Sequence, residues 1–399
     1  MGALLAAEIV SILGSRMTYL ALPWFVLVTT GSPARMTIVL AVQLAPMALL
    51  GIPSGIAVER LGARTTMLVC DAARAPLLAS VPLLHAAGLL TFPLLLVLVF
   101  GLGCFMAPYL AAQRVVLPEL VGEDERTMSQ ANSLVEGGTA LAGLAGPALA
   151  GVLIPFLGAA NVLYLDAATY LVAFLLVLLF VPQRRRASRP VQRGVLAGVA
   201  FVFRDRLLGP LAAVVVFTGF VSAGLSAGLP VYAYETLGSP RAAGFLFAAL
   251  GAGAVVGSIV AVVAVKHVRP LWLASGALGC LAVPLWVLPL EPPVAAVALA
   301  LFLATLFAPL VNGPVLGVLT RRTPEELRPK ALTALIAVNT LAAPLGFLVA
   351  GQVLERWGVV PVFAAVAAGM SLAALAFGTV VLRTGDGAPA AEPAAAAAA

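Results

Sequence analysis

The sequence predicts an all-α membrane protein with twelve transmembrane helices, arranged as two consecutive halves of six. The composition is 62% hydrophobic and only 10% charged, whereas ordinary soluble domains contain about 25% charged residues. The apolar residues fall into twelve runs, each close to the roughly 20 residues that an α-helix needs to cross a bilayer. Similar short segments recur at corresponding places in the two halves.

The twelve apolar runs are separated by short breaks that are polar or rich in Gly and Pro. They cover residues 3–29, 36–57, 66–88, 92–114, 128–155, 160–182, 207–233, 241–265, 270–289, 294–319, 330–354 and 359–382. The first run is longer than the apolar segment of a secretory signal and lacks a cleavage-like flank, so we interpret it as the first span.

The longest polar link, residues 183–206, contains seven arginines and divides the chain. We predict an N-terminal six-helix bundle over residues 1–182 and a C-terminal six-helix bundle over residues 207–384, joined by this cytoplasmic linker. Residues 385–399 are mostly Ala and Pro, and this low-complexity composition predicts a disordered tail.

The basic residues are concentrated in the links that follow even-numbered spans. By the positive-inside rule this pattern predicts that both termini are cytoplasmic. Basic residues in short links set topology and do not form a nucleic-acid surface, despite the net charge of +6. The chain has only two lysines among its 23 basic residues, which favours a GC-rich bacterial genome and thus a bacterial plasma membrane.

The two halves repeat each other in sequence. Residues 22–33, which include Leu-Pro and end in Gly-Ser-Pro, recur as residues 229–240, and Gly146–Gly151 recurs as Gly346–Gly351. A further pair, residues 105–108 and 307–309, shares Phe, Ala and Pro in spans four and ten. Collinear matches of this kind predict parallel six-helix repeats, which in transporters enclose a substrate site between them.

The link between spans two and three has the spacing of a tight, charged turn. It contains Gly55, Glu59, Arg60, Gly62 and Arg64. The glycines permit a sharp turn, and an acid at a helix end favours a neighbouring helix N-terminus. The segment resembles the signature of the major facilitator superfamily. This resemblance implies a conformational latch between Glu59 and Arg114; the alternative is a solvated charged turn.

Span five is rich in small residues. It resembles the Gly-Pro motif of drug:proton antiporters in Gly143, Gly146, Pro147 and Gly151. Small residues permit close helix approach, and the proline bends the span where the halves meet; close packing alone is the alternative. Residues 131–134, 71–74 and 166–167 resemble the bacterial branch that includes macrolide efflux proteins and the enterobactin exporter. This resemblance implies export.

Charged residues inside spans are candidates for ion coupling, because each is costly there unless it is paired or hydrated. Arg16 and Glu136 are predicted at mid-depth in spans one and five, and Asp166 lies in span six. We expect Arg16 and Glu136 to form a coupling pair, with Asp166 as the alternative partner of Arg16. Glu8 and the pair of charges in residues 71–74 lie near a membrane surface, where snorkelling or a local ion pair is expected.

The predicted function is export of lipophilic small molecules, drug-like compounds or siderophores, by proton antiport and alternating access. The expected substrate pocket is mainly apolar and includes Tyr19, Phe105, Tyr109, Phe217, Phe220 and Asn312. A lipid flippase or a nutrient importer on the same fold is the alternative. An enzyme is disfavoured because the chain has two histidines and no clustered catalytic groups. The expected partners are the substrate, protons and the bilayer. We expect a monomer with no metal or other cofactor, since the three cysteines lack metal-ligand spacing.

Overall fold

The protein is described by a computed structural model that covers residues 2–121, 125–182, 195–324 and 327–384. Its α-helices in these ranges are α1 (Gly2–Thr30), α2 (Pro33–Leu61), α3 (Ala63–Ala86), α4 (Phe92–Cys104), α5 (Met106–Val121), α6 (Glu125–Leu157), α7 (Ala159–Phe180), α8 (Val195–Arg204), α9 (Leu208–Glu235), α10 (Pro240–Ala264), α11 (Pro270–Leu285), α12 (Val294–Arg322), α13 (Arg328–Trp357) and α14 (Val359–Thr384).

The twelve predicted spans are confirmed by twelve helical segments long and apolar enough to cross a membrane. Span four consists of α4 and α5, which are separated at Phe105. This break was not predicted. It follows from Pro108, which has no N–H to donate to the carbonyl of Cys104 four residues earlier. The remaining spans are α1 to α3, α6, α7 and α9 to α14, one helix each.

Helix α8 lies inside the predicted polar link and is a departure from that prediction. Residues 195–203 are all apolar or small and carry no charge. Helix α8 packs against α9 and α13 of the C-terminal half. Val202 is buried among the apolar residues of that half. The second part of the link is therefore a short packed helix. Residues 183–194 and the predicted tail, 385–399, lie outside the described residues.

The sequence repeat corresponds to a repeated turn. Gly31 and Gly238 have positive φ angles of 64° and 57°, a conformation that glycine adopts without steric cost. Ser32 and Ser239 follow them and cap α2 and α10, each accepting a hydrogen bond from the backbone N–H three residues later, at 3.2 and 3.4 Å. A proline then begins each helix. The repeat therefore encodes the same helix start in both halves.

The two faces of the bundle differ in how the halves meet. Because the chain crosses twelve times, α1 begins and α14 ends at one face, which we call the terminal face; the other is the distal face. Near the distal face one buried apolar cluster crosses between the halves and includes Leu27, Met36, Val231 and Leu354. Near the terminal face two separate clusters each stay within one half. The halves are thus packed together at the distal face, whereas no buried apolar cluster joins them at the terminal face among the described residues.

The contacts between halves use glycines that the repeat places in equivalent helices. A Cβ atom at Gly151 of α6 would lie 2.6 Å from the Cα atom of Gly244 in α10, so the two backbones touch. Gly351 of α13 packs against the side chain of Thr37 in α2. The close helix approach predicted from the small residues of span five is therefore present, and it joins the two halves.

Candidate functional site

A cavity of about 490 Å³ lies on the terminal-face side of the crossing cluster. Residues of α1 to α7 form its wall, and Phe347 of α13 is the one contribution from the C-terminal half among the described residues. The wall is mainly apolar and aromatic, with Tyr19, Leu44, Leu102 and Met106 facing the space. Helix α1 contributes five of its side chains between Ser11 and Thr18 as well.

Three arginines are the charged residues in the described wall of this cavity: Arg16, Arg74 and Arg114. The side chains of Arg16 and Arg114 are exposed, whereas that of Arg74 is buried. The amides of Gln43 and Gln113 and several hydroxyl groups complete the polar part of the wall. The cavity therefore combines a large apolar surface with a small number of hydrogen-bond donors, as small-molecule sites usually do.

Arg74 is the centre of a buried charge cluster behind the wall. Its guanidinium lies 3.8 Å from the Asp71 carboxylate, 4.0 Å from the centre of the Tyr170 ring and 4.9 Å from that of Tyr109. Asp71 is completely buried, and its oxygens accept no hydrogen bond from the described residues. Of the two sequence-based alternatives for this pair, the local ion pair is confirmed, and snorkelling is wrong because both side chains are buried.

Glu8 lies in the same layer of the N-terminal half and is 1% exposed. Gln113, which lines the cavity, interacts with its side chain. Neither Glu8 oxygen accepts a hydrogen bond of normal geometry from the described residues. Sequence alone suggested a residue close to the membrane surface, yet the packing of α1 places this carboxyl in the protein interior.

Asp166 of α7 is completely buried against α1. Thr18 donates a hydrogen bond to its carboxylate at 2.5 Å, and Thr169 donates another at 3.0 Å. Gly14 makes this possible, since a side chain there would collide with Asp166 and Thr169. Thr18 also lines the cavity, so one hydroxyl group separates Asp166 from the space. The described partners of the Asp166 carboxylate are thus Thr18 and Thr169. The described residues include no ion pair between Arg16 and Asp166.

The side chain of Glu136 lies outside the described residues, so its predicted pair with Arg16 stays a prediction. The backbones are described, and they show the register of α1 against α6. Gly138 packs against Ile9, and Gly146 packs against Arg16. Glu136 precedes Gly138 by two residues, so it lies level with a residue of α1 that precedes Ile9. That position is at least seven residues, or about 10 Å along the helix axis, from Arg16. The similar depth inferred for Arg16 and Glu136 from the span limits is therefore wrong. An ion pair between them would need nearly full extension of both side chains.

The predicted latch residues lie at the terminal face. Glu59 and Arg60 are exposed at the end of α2, and Gly55 and Gly62 adjoin them. Arg64 instead donates a hydrogen bond of 2.7 Å to the carbonyl of Leu178, in the last turn of α7. There a cation is favoured by the helix dipole. The described residues include no ion pair between Glu59 and Arg114, which faces the cavity.

Two of the six predicted pocket residues, Tyr19 and Tyr109, line the cavity. Phe105 instead packs against the terminal-face cluster of the N-terminal half, and Phe220 packs against the crossing cluster. Phe217 and Asn312 are exposed on α9 and α12 but are not part of this wall. The prediction distributed the pocket equally over both halves. It stays a prediction, and the described cavity lies almost entirely within the N-terminal half.

At the distal face a carboxylate joins the two halves. Glu355 at the end of α13 accepts a hydrogen bond from the Ser32 hydroxyl at 2.9 Å and from the Ala34 N–H at 3.0 Å. These groups form the N-terminus of α2, where a negative charge is favoured by the helix dipole. The sequence signals were a serine cap and an acid at a helix end, but their proximity depends on packing between residues that are far apart in the chain.

Aromatic rings reinforce the distal contact between halves. The Trp24 and Tyr234 rings meet edge to face with centres 5.7 Å apart, and Tyr19 meets Phe247 at 5.9 Å. Tyr19 therefore belongs both to the cavity wall and to the contact with α10. A ligand in the cavity is thus adjacent to a residue on which the packing of the two halves depends.

Comparison with known proteins agrees with this architecture. The family model of the Major Facilitator Superfamily matches residues 4–327 and also residues 211–398. The solved structure of the nucleoside transporter NupG has a TM-score of 0.74 at 15% identity, covering 95% of this chain and 98% of that one. A D-xylose-proton symporter has a TM-score of 0.73 at 16% identity, covering 94% and 96%. At these identities the two structures show the shared fold.

Two sequence relatives extend over nearly the whole chain. The multidrug efflux pump Tap of Mycolicibacterium fortuitum is 27% identical over 374 residues, which cover 90% of each protein. The protein of the same name from Mycobacterium tuberculosis is 25% identical over 379 residues, which cover 91% of this chain and 89% of that protein. With its twelve apolar helices and its match to the family model, the chain is a multi-pass membrane transporter of the major facilitator superfamily.

Proposed function

We propose that this transporter exports lipophilic small molecules by proton antiport through alternating access. The observation that carries the proposal is the mainly apolar cavity beside the contact between halves, with buried carboxyl groups directly behind its wall. The multidrug efflux pumps among its relatives support the direction of transport and the substrate class.

The size and lining of the cavity support a drug-sized substrate. Its volume of about 490 Å³ lies within the range of roughly 300–1,000 Å³ that is usual for small-molecule sites. Tyr19, Tyr109 and Phe347 offer aromatic surface, and Met106 offers a flexible thioether side chain. Such side chains adapt to substrates of different shape.

Alternating access requires two arrangements of the halves. In the described arrangement the distal face is closed by the crossing cluster and by Glu355, while the terminal-face clusters stay separate. The opposite arrangement would break the distal contacts and bring the terminal-face ends together, where Glu59 and Arg114 form the proposed latch. The pseudo-symmetric crossings of α6 with α10 and of α2 with α13 provide the contact about which the halves move.

Proton coupling requires a carboxyl group that exchanges protons as the substrate binds or leaves. Asp166 is well placed, because Thr18 contacts both its carboxylate and the cavity. Burying a carboxylate is costly unless its hydrogen bonds are retained, so a substrate that disturbs Thr18 changes the balance between the charged and neutral forms. Glu136 and Arg16 remain coupling candidates on the neighbouring helices α6 and α1.

The distribution of arginines and lysines supports an orientation with the terminal face in the cytoplasm, because the links at that face are the basic ones. We place the protein in a bacterial plasma membrane as a monomer. In this orientation the described arrangement admits substrate from the cytoplasm, as an exporter requires.

Transport by the reconstituted full-length protein tests the proposal. Proteoliposomes with a trapped pH-sensitive dye are given lipophilic cations, macrolides and siderophores one at a time. We expect at least one cargo to change the internal pH only in liposomes that contain the protein. Cargo that crosses without any proton movement would exclude antiport. Failure of the whole panel to cross faster than in protein-free liposomes would exclude the proposed substrate class.

Removing the Glu355 carboxylate is expected to open the distal face more often. The Glu355→Ala variant loses a charged cap on α2, which costs on the order of 1 kcal/mol, or roughly a fivefold change in population. Spin labels at Leu89 and Leu290, exposed in distal loops of opposite halves, report the separation on a cysteine-free background. We expect a larger long-distance population in Glu355→Ala and a smaller increase in Glu355→Gln, which keeps one acceptor. An unchanged distance distribution in Glu355→Ala would show that the contact does not control this face.

A further inference from the structure

We infer that the cavity selects lipophilic anions, which Arg16 and Arg114 bind through their guanidinium groups. The inference rests on the proposed function, because it names the substrate class within the same cavity. An apolar export pocket lined by acids would instead favour lipophilic cations.

Arg16 and Arg114 are available to a ligand. Both side chains are exposed and both line the cavity, Arg16 from α1 and Arg114 from α5. No hydrogen bond or ion pair to another described residue is found for either guanidinium. Each carries its charge throughout the transport cycle, since arginine does not lose its proton in proteins. Two permanent positive charges therefore face one mainly apolar space.

The third arginine of the wall has a different role. The charge of Arg74 is compensated by Asp71 at 3.8 Å, and the Tyr170 ring lies 4.0 Å from the guanidinium. Arg74 is 7% exposed. It is thus held by the protein and is largely inaccessible to a ligand. Arg16 and Arg114, unlike Arg74, have no compensating acid among the described residues.

The described acids of the N-terminal half lie outside the cavity wall. Glu8, Asp71 and Asp166 are buried behind the wall, at 1%, 0% and 0% exposure, and none lines the cavity. The side chain of Glu136 lies outside the described residues. Its neighbours Val135 and Thr139 line the cavity, so a test of the inference has to include it.

The arrangement fits a flat aromatic or aliphatic body that carries one carboxylate or sulfonate. The apolar wall would bury the body. The planar guanidinium forks match the two oxygens of a carboxylate, and the amides of Gln43 and Gln113 supply further N–H donors from the same wall. A cation in this space would meet two like charges, which is unfavourable.

Three fluorescent probes with the same apolar body separate charge from hydrophobicity: pyrenebutyrate, pyrenebutanol and pyrenebutylammonium. Their binding to the purified full-length protein in nanodiscs is measured by fluorescence anisotropy, and empty nanodiscs correct for partition into lipid. We expect the order carboxylate, alcohol, ammonium. Loss of one charge-assisted contact in Arg16→Gln or Arg114→Gln should weaken pyrenebutyrate binding about tenfold. Pyrenebutanol should be affected less than about twofold in either variant, because it carries no charge to pair.

Four further variants make the result specific. Arg383→Gln removes an exposed arginine at the end of α14, outside the cavity, and should leave all three affinities unchanged. The variants Arg16→Lys and Arg114→Lys keep the charge and should recover part of the affinity for pyrenebutyrate. Glu136→Gln should strengthen pyrenebutyrate binding if this acid partly neutralises Arg16, and should have no effect if it does not; weaker binding would contradict the inference.

Two results would overturn the anion preference. One is tightest binding of pyrenebutylammonium to the wild-type protein. The other is unchanged pyrenebutyrate affinity in both Arg→Gln variants while pyrenebutanol still binds, because retained pyrenebutanol binding shows that the cavity is folded. Either of these binding results would refute this inference alone. The proposed function itself is refuted by the transport panel, if none of its cargoes crosses faster than in protein-free liposomes.

Discussion

Arg74→Gln is expected to cause the largest loss of stability of any single substitution in the N-terminal half. The change leaves the fully buried Asp71 carboxylate without its positive partner and removes the cation between the Tyr109 and Tyr170 rings. Breaking a buried ion pair by removing one partner costs about 3–5 kcal/mol. The measurement is the thermal unfolding midpoint of the protein in detergent, which we expect to fall by many degrees relative to wild type.

The double variant Asp71→Asn with Arg74→Gln is the decisive comparison. Both charges are then absent, so most of the lost stability should return, since a buried ion pair often contributes little beyond its own desolvation cost. Arg383→Gln, an exposed arginine on α14, should leave the midpoint unchanged. If the double variant is no more stable than Arg74→Gln, the lost stability does not come from the ion pair with Asp71. It then comes from the contacts of Arg74 with the Tyr109 and Tyr170 rings.

Asp166→Asn is expected to abolish transport driven by a proton gradient while substrate binding persists. Asparagine keeps the size of the side chain and an oxygen that can accept from Thr18 or Thr169, but it cannot exchange a proton. In proteoliposomes with an imposed pH gradient, accumulation should fall at least about tenfold, as expected when one titrating group is the sole coupling site. Equilibrium binding of the same cargo should change by less than about threefold, because Asp166 does not line the cavity.

Glu291→Gln is the matched control for this prediction. Glu291 is an exposed acid at the distal face, remote from the cavity wall, so its loss should alter neither binding nor accumulation. Glu136→Gln is compared in the same assay. Full proton-driven accumulation by Asp166→Asn together with failure of Glu136→Gln would move the coupling site to Glu136. Full accumulation by both variants would show that neither Asp166 nor Glu136 couples transport to protons.

The helical architecture was predictable because its signals are local. A bilayer span needs a run of apolar residues that can be read directly from the chain, and the twelve helices coincide with the twelve predicted runs. The repeated Gly-Ser-Pro turns are local as well, since each glycine, cap and proline acts on the helix that it begins. Helix α8 was not predicted because its ten residues are too few to cross a bilayer and lie in a link rich in arginine.

The candidate site was predicted less well because it depends on contacts between distant residues. Counting residues from a span end suggested similar depths for Arg16 and Glu136, whereas the packing of Gly138 on Ile9 and of Gly146 on Arg16 shows a different register. Asp166 was identified as a buried charge, but its partner Thr18 lies 148 residues away in the chain. The sequence pattern also contains no signal that connects Glu355 with Ser32, 323 residues apart.

The contact between Gly151 and Gly244 lies far from the middle of helix α6. Twenty-six residues of α6 precede Gly151 and six follow it, which at 1.5 Å per residue gives arms of about 39 Å toward the terminal face and about 9 Å toward the distal face. In the proposed alternating access, each 10° of rotation about this contact would move the two ends of α6 by about 7 Å and about 1.6 Å. The two arms of the helix would thus move unequally. A shift at the distal face barely longer than a covalent bond would accompany a movement at the terminal face as wide as a small substrate.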